Sequence, residues 1–185
     1  MLKYCSVHHD QRTIQKDEHW LLPDSEYLKL NMDASFDSDS SYVGVGLILK
    51  NSTGSCEGII GRLFHGGIDP EHAECLAFKE AIQWEKEKGL KKVTFEGDCL
   101  NVINSVKYAN SSVHWMNEGL VHEIRHLLSN ISWFNVNYVR RHANNDAHVI
   151  ANEVRTGRQS FDYQCNIPEI FMKEIRKDNM STVVS

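Results

Sequence analysis

The sequence predicts an α/β domain, a five-stranded mixed sheet with helices packed on both faces. Three observations carry this. Three successive stretches rich in β-formers are separated only by Gly- and Ser-containing turns, the periodicity switches to helical spacing at Asp69-Pro70, and short strands and helices then alternate to Val154. The expected order is β-β-β-α-β-α-α-β-α. At 185 residues, with 41% hydrophobic and 24% charged residues, the chain is long enough for one domain with short extensions and has the composition of an ordinary globular protein.

The elements follow in order. Residues 1–26 are polar and aperiodic apart from Trp20-Leu21-Leu22-Pro23, and read as a lead-in that docks at that one patch. The domain spans 27–157. From Leu28 to Phe36 apolar residues alternate at Leu28, Leu30, Met32 and Ala34, and Tyr42–Lys50 and Ser55–Arg62 continue as sequential strands, which suggests an antiparallel meander. Asp69 can cap a helix whose first position suits Pro70 and whose dipole suits Glu71. That helix carries Ala73, Leu76, Ala77, Ala81 and Trp84 on one stripe and stops at Gly89. Lys91–Glu96 reads as a strand. Val102, Ile103 and Val106 mark a second helix beginning at Asp98, and Leu120, Ile124, Leu127 and Leu128 a third. Trp133–Arg140 supplies the fifth strand. Asn144 and Asn145 can cap a last helix through Ala147, Ile150, Ala151 and Val154, and the extension 158–185 contains a short amphipathic stretch at Pro168-Glu169-Ile170-Phe171. Trp84, Trp115 and Trp133 are assigned to packing.

Charge and cysteine usage narrow the function classes. With 20 Lys and Arg against 25 Asp and Glu, the net charge is −5, so a nucleic-acid partner must be met by a local basic surface. No stretch approaches the roughly 20 apolar residues of a membrane span, and Lys3, His8, His9, Asp10 and Arg12 stand where a signal peptide would be apolar, so an intracellular monomer without membrane contact is expected. The five cysteines, Cys5, Cys56, Cys75, Cys99 and Cys165, are scattered and form no C-x-x-C pair, which argues for reduced thiols and against a zinc ribbon.

Ionisable residues placed within the elements suggest the chemistry. Asp33 lies in the middle of a strand, where Asp is disfavoured. Glu74 sits beside the apolar stripe of its helix, where an unpaired carboxylate costs several kcal/mol, so the position asks for a cation. Asp98, between a strand and a helix, taken alone is most simply an N-cap. Leu28-Lys29-Leu30-Asn31-Met32-Asp33, Ala73-Glu74-Cys75-Leu76-Ala77, Glu96-Gly97-Asp98 and the run R-R-H-A-N-N-D-A-H-V-I-A from Arg140 to Ala151, in this order of elements, resemble the ribonuclease H type 1 family. The resemblance is to its plant branch, the RNase H-like domains related to non-LTR retrotransposon polyproteins, and covers roughly Trp20 to Val154.

That resemblance implies an endonuclease that hydrolyses the RNA strand of RNA–DNA hybrids, with a carboxylate cluster holding two divalent cations, Mg²⁺ or Mn²⁺. Two carboxylates ~5 Å apart at an effective dielectric of ~20 repel by about 3 kcal/mol, so such a cluster needs bound cations or raised pKa values. By the family's pattern Asp33 bridges both metals, Glu74 and Asp98 hold the one on the leaving-group side, and a fourth residue holds the one that activates water. Setting the motif N-x-x-A-D-x-L-A on Asn144, Ala147, Ile150 and Ala151 places His148 at that fourth position, as metal ligand and catalytic residue. Asp146 lies two residues early, about 200° around the helix, and reads as a first-turn acid that suits the dipole. His142 lies in the preceding loop, where the family can use a His for proton transfer.

A zinc deaminase would share His72-Ala73-Glu74 but needs P-C-x-x-C, and Pro23, Pro70 and Pro168 are followed by Asp24, Glu71 and Glu169. A catalytically weak or inactive nucleic-acid-binding or protein-interaction module with the same fold is the alternative function, favoured by His148 and the net charge. Lys86, Lys88, Lys91, Lys92, Arg140 and Arg141 are the basic residues near the motifs, whereas Asn110–Trp115 carries no Lys or Arg.

Overall fold

The computed structural model describes residues 26–110 and 112–181, with side chains to Arg176. The Trp20–Pro23 patch lies outside the described residues. The meander forms as β1 (Leu28–Phe36), β2 (Tyr42–Lys50) and β3 (Cys56–His65), followed by α1 (Pro70–Lys88), β4 (Val93–Gly97), α2 (Leu100–Lys107), α3 (Glu118–Leu128), β5 (Phe134–Tyr138) and α4 (Asn145–Gly157). Single 3₁₀ turns precede α3 and α4. The sheet runs β5-β4-β1-β2-β3-β6, antiparallel among β1, β2 and β3 and parallel where β4 joins β1 and β5 joins β4.

The sheet has six strands, not five. Phe161–Tyr163 forms β6, pairing antiparallel with Ile59, Ile60 and Gly61 of β3. Three residues are too few to show a period, and the strand exists because an open edge of β3 offers it hydrogen bonds. Residues 158–181 therefore extend both sheet and core: α5 (Glu169–Ser181) starts at the Pro168 stretch, outruns it, and buries Phe171 and Ile175 against Ile48, Ile59 and Ile150.

The first helix is capped as its sequence requires. Asp69 accepts the His72 backbone N–H at 2.7 Å, and Gly89 takes the left-handed conformation, φ 62°, at the other end. Period 2 in β1 then sorts the faces. Leu30, Met32 and Ala34 enter the main core with Phe78, Phe95 and Ile124, beneath α1, α2 and α3. Asn31, Asp33 and Ser35 consequently point to the opposite face, which α4 covers. That helix approaches β2 so closely that a Cβ on Gly44 would lie 2.2 Å from the Ala151 carbonyl oxygen, and one on Gly46 2.3 Å from that of Ala147. Only glycine permits this approach, which sets α4 against β1 as well.

Several packing expectations are corrected. Trp84 is buried, but Trp115, which opens the 3₁₀ turn before α3, is 71% exposed, and Trp133, just before β5, is 52% exposed. Cys99, not Asp98, occupies the N-cap position of α2, and no side chain caps α4. Asn144 is used elsewhere. The cysteines among the described residues are free thiols, and no helix there is long and apolar enough to cross a membrane.

Candidate functional site

Asp33, Glu74 and Asp98 converge. Each offers a carboxylate oxygen within 4.8 Å of the other two, from the middle of β1, the second turn of α1 and the end of β4. The meeting point follows from strand length. β4 pairs with β1 only as far as Asn31↔Glu96, so beyond it the edge of β1 is open and Glu74 reaches over from α1 to the side of the Ala34 backbone N–H, which partly offsets the rise in its pKa. Asp98 leaves the end of β4 into the same gap.

The electrostatics are those of a site awaiting positive charge. At 4.8 Å and an effective dielectric of ~20, each ionised pair repels by about 3.5 kcal/mol. Asp33 is fully buried. Burial raises its carboxyl to about 6, against the hydrogen bond from His148, and Asp98 adds to the rise. Glu74 is pushed well above the usual carboxylate range by burial first and by the charges of Asp33 and Asp98 next. One oxygen of Asp33, Oδ1, is buried with no hydrogen-bond partner. An orphaned carboxylate oxygen beside two further carboxylates fits a hard divalent cation such as Mg²⁺ or Mn²⁺, which binds oxygen ligands.

Two basic side chains reach the cluster from the segment before and within α4. Arg141 Nε donates to Asp98 Oδ2 at 3.0 Å while 67% of its side chain stays exposed. His148 Nδ1 lies 2.8 Å from Asp33 Oδ2, and this hydrogen bond raises the imidazole's pKa. Its Nε2 lies 2.9 Å from Asn152 Nδ2, so both ring nitrogens are engaged. The fourth sequence-predicted residue is thus at the cluster, held by Asp33. His142 is exposed on the turn before α4.

Asp146 is in no part of this site. It is buried, and its Oδ2 accepts from Lys50 Nζ at 2.5 Å, an ion pair in which both side chains are 3% exposed or less. Its expected role at the helix dipole becomes that of a buried counterion joining α4 to the end of β2. A second buried network orders the approach to α4: Asn31 Nδ2 donates to Glu96 Oε2 and to Asn144 Oδ1, each at 3.2 Å, and Asn144 Nδ2 donates to the Met32 carbonyl at 2.9 Å. Glu96 in turn pairs with Lys29 at 2.9 Å. Sequence reasoning passed over Asn31, Lys50 and this use of Asn144. The signal was present as polar residues at alternate positions of a strand too apolar to face water.

The sequence profile of the reverse transcriptase-like family matches residues 31–154, which includes every residue of the cluster. No curated protein is similar enough in sequence to count as a relative. Among solved structures, the RNase H1 of the halophilic archaeon Halobacterium salinarum superposes with a TM-score of 0.65 at 20% identity, over 71% of this chain and 98% of that one. The N-terminal RNase H domain of a Mycobacterium tuberculosis protein gives 0.63 at 16%, over 72% and 96%. An RNase H1 isolated from compost, LC11-RNase H1, solved in complex with RNA/DNA hybrid, gives 0.63 at 14%, over 71% and 98%. At such identities the likeness is one of fold. The chain belongs to the reverse transcriptase-like family, and its domain has the RNase H-like fold.

Proposed function

We propose that this protein is an endonuclease hydrolysing the RNA strand of RNA–DNA hybrids with two divalent cations, Mg²⁺ or Mn²⁺, and that it belongs to the plant, retrotransposon-related branch its motifs resemble. The observation that carries the reading is the convergence of Asp33, Glu74 and Asp98 with Asp33 Oδ1 left without a partner. Asp33, Glu74 and Asp98 would hold the cations. When bound, these would stabilise charge on the phosphate and lower the pKa of water.

The chain's own residues supply the rest. Buried Asp33 presents Oδ1 to the site and is fixed through Oδ2 by His148. Arg141 neutralises part of Asp98 and keeps its remaining donors at the rim, where a phosphate of the substrate backbone would pass. Backbone contacts of this kind carry no sequence information, so cleavage should be sequence-independent, and preference for hybrid over duplex DNA would rest on the ribose 2′-OH.

One observation favours a second reading, a module that binds nucleic acid or protein without cutting it. Arg141 and His148 already engage carboxylates of the cluster, the first as an ion pair and the second through a hydrogen bond. Purified protein incubated with labelled hybrid, duplex DNA and single-stranded RNA, with Mg²⁺, with Mn²⁺ and without divalent ions, separates the two. Divalent-dependent cleavage confined to hybrid supports the nuclease. Equal cutting of hybrid and duplex DNA rejects it in favour of a different nuclease, and retention of hybrid without cleavage supports the binding module.

A further inference from the structure

The polar residues between β1 and α4 form a ladder. Alternate residues of the strand meet successive turns of the helical segment: Asn31 with Asn144, Asp33 with His148, Ser35 with Asn152. The match is geometric. Two strand residues advance about 6.6 Å and four helical residues about 6.0 Å, so partners on parallel elements stay in step over three rungs. The close approach allowed by Gly44 and Gly46 brings the two elements within hydrogen-bond reach.

The last rungs have a direction. Arg155 Nε, which can only donate, gives its hydrogen to Ser35 Oγ at 2.7 Å. The Ser35 hydroxyl, its oxygen thus engaged as acceptor, donates onward to Asn152 Oδ1 at 2.7 Å. With its carbonyl so occupied, Asn152 turns its amide donor, Nδ2, toward His148 Nε2 at 2.9 Å. An amide N–H aimed at Nε2 requires a lone pair there, so the ring proton resides on Nδ1 and is donated to Asp33 Oδ2. Each link from Arg155 to Asp33 pairs one donor with one acceptor, and reversing Asn152 would leave the Ser35 hydroxyl without its acceptor in this chain.

From this we infer that His148 is a positioning residue, held as its Nδ1–H tautomer by the relay Arg155–Ser35–Asn152, and that it orients Asp33 toward the cation site instead of ligating a cation itself. The inference rests on the cation-binding reading of the cluster, and replaces the ligand role expected for His148. Neither ring nitrogen is free to coordinate without breaking a hydrogen bond. Asn152, Ser35 and Arg155 become further positioning residues of the same site, at i+4 and i+7 of the helix and two residues along the strand.

The test is spectroscopic and needs no turnover. In ¹³C,¹⁵N-labelled protein at mildly alkaline pH, long-range ¹H–¹⁵N spectra of the His148 ring, assigned by its loss in His148→Gln, should show protonated Nδ1 and unprotonated Nε2. Addition of Mg²⁺ should move the carboxyl ¹³C signals of Asp33, Glu74 and Asp98 and leave the ring pattern as it was. Asn152→Asp, which can only accept at that position, should bring a proton onto Nε2, and Ser35→Ala should mix the tautomers. On hybrid substrate, Asn152→Ala should lower kcat about tenfold with KM unchanged, as loss of a partner behind a ligand does. A His148 nitrogen signal shifted to a cation-bound position by Mg²⁺, or a tautomer indifferent to both Asn152→Asp and Ser35→Ala, overturns the inference. Wild-type protein that shows the tautomer and the carboxyl shifts but cuts no hybrid would instead refute the nuclease reading alone.

Discussion

Replacing Asp33 by an asparagine should make the protein more stable and less active at once. Asp33 is fully buried, and its carboxyl is held at about 6 in the folded state against an ordinary value of 3.8, because burial outweighs the His148 hydrogen bond. A raised folded pKa means that the folded state binds the proton more tightly than the unfolded chain. Below about pH 4 both states are protonated and the group is neutral in the balance. Above about pH 6 both are ionised and folding carries a penalty of about 3 kcal/mol, from 1.36 kcal/mol per pK unit. The penalty therefore grows as pH rises through the window from about 4 to 6.

The amide introduced by Asp33→Asn keeps a carbonyl for His148 Nδ1 and carries no charge to bury. At pH 7 without divalent ions, this variant should gain about 1–3 kcal/mol in urea denaturation, and each kcal/mol should raise Tm by about 2–4 °C for a chain of this size. The gain should vanish near pH 4. Mg²⁺ or Mn²⁺ at 100 times its Kd should stabilise the parent by about 2.7 kcal/mol and leave the variant nearly unmoved, closing the gap, while cleavage of hybrid is lost. A variant less stable than the parent at pH 7, or a stability difference that is the same at pH 4 and pH 7, would refute the claim that Asp33 is a strained, cation-requiring charge.

The remaining expectations concern the surroundings of that site. Gly46→Ala places a methyl 2.3 Å from the Ala147 carbonyl oxygen, so α4 must retreat; we expect a loss of about 1–3 kcal/mol in urea denaturation together with reduced cleavage, and parent-like behaviour would show that the close approach is not needed. Lys50→Met strands the buried Asp146 carboxylate and should cost about 3–5 kcal/mol, most of it recovered in the Lys50→Met/Asp146→Leu double variant, whereas additive losses would argue against a coupled pair. Arg141→Ala should weaken hybrid binding across all sequences and reduce the slope of log K against log salt by about 1; an unchanged slope in filter binding would place the guanidinium away from the phosphates.

Features that depend on neighbours along the chain were legible in the sequence. The bounds of β1 follow from alternation and those of β2 from a run of β-formers between turns, the start and stop of α1 from Asp69, Pro70 and Gly89, and the carboxylates at 33, 74 and 98 stood out together through the motifs that contain them. Other features depend on partners more than 95 residues away and emerged only in the folded chain. Phe161–Tyr163 is a strand only because β3 has an open edge, and Asn144 reads as a cap, Asp146 as a first-turn acid and His148 as a metal ligand, with Asn152 unassigned, until the glycines of β2 bring that face onto Asn31, Lys50, Asp33 and Ser35. A polar side chain on a helix costs nothing in water and much in a core, and periodicity does not say which of the two it faces. The ladder between β1 and α4 is decided by their separation and register, quantities that no local stretch of the chain encodes.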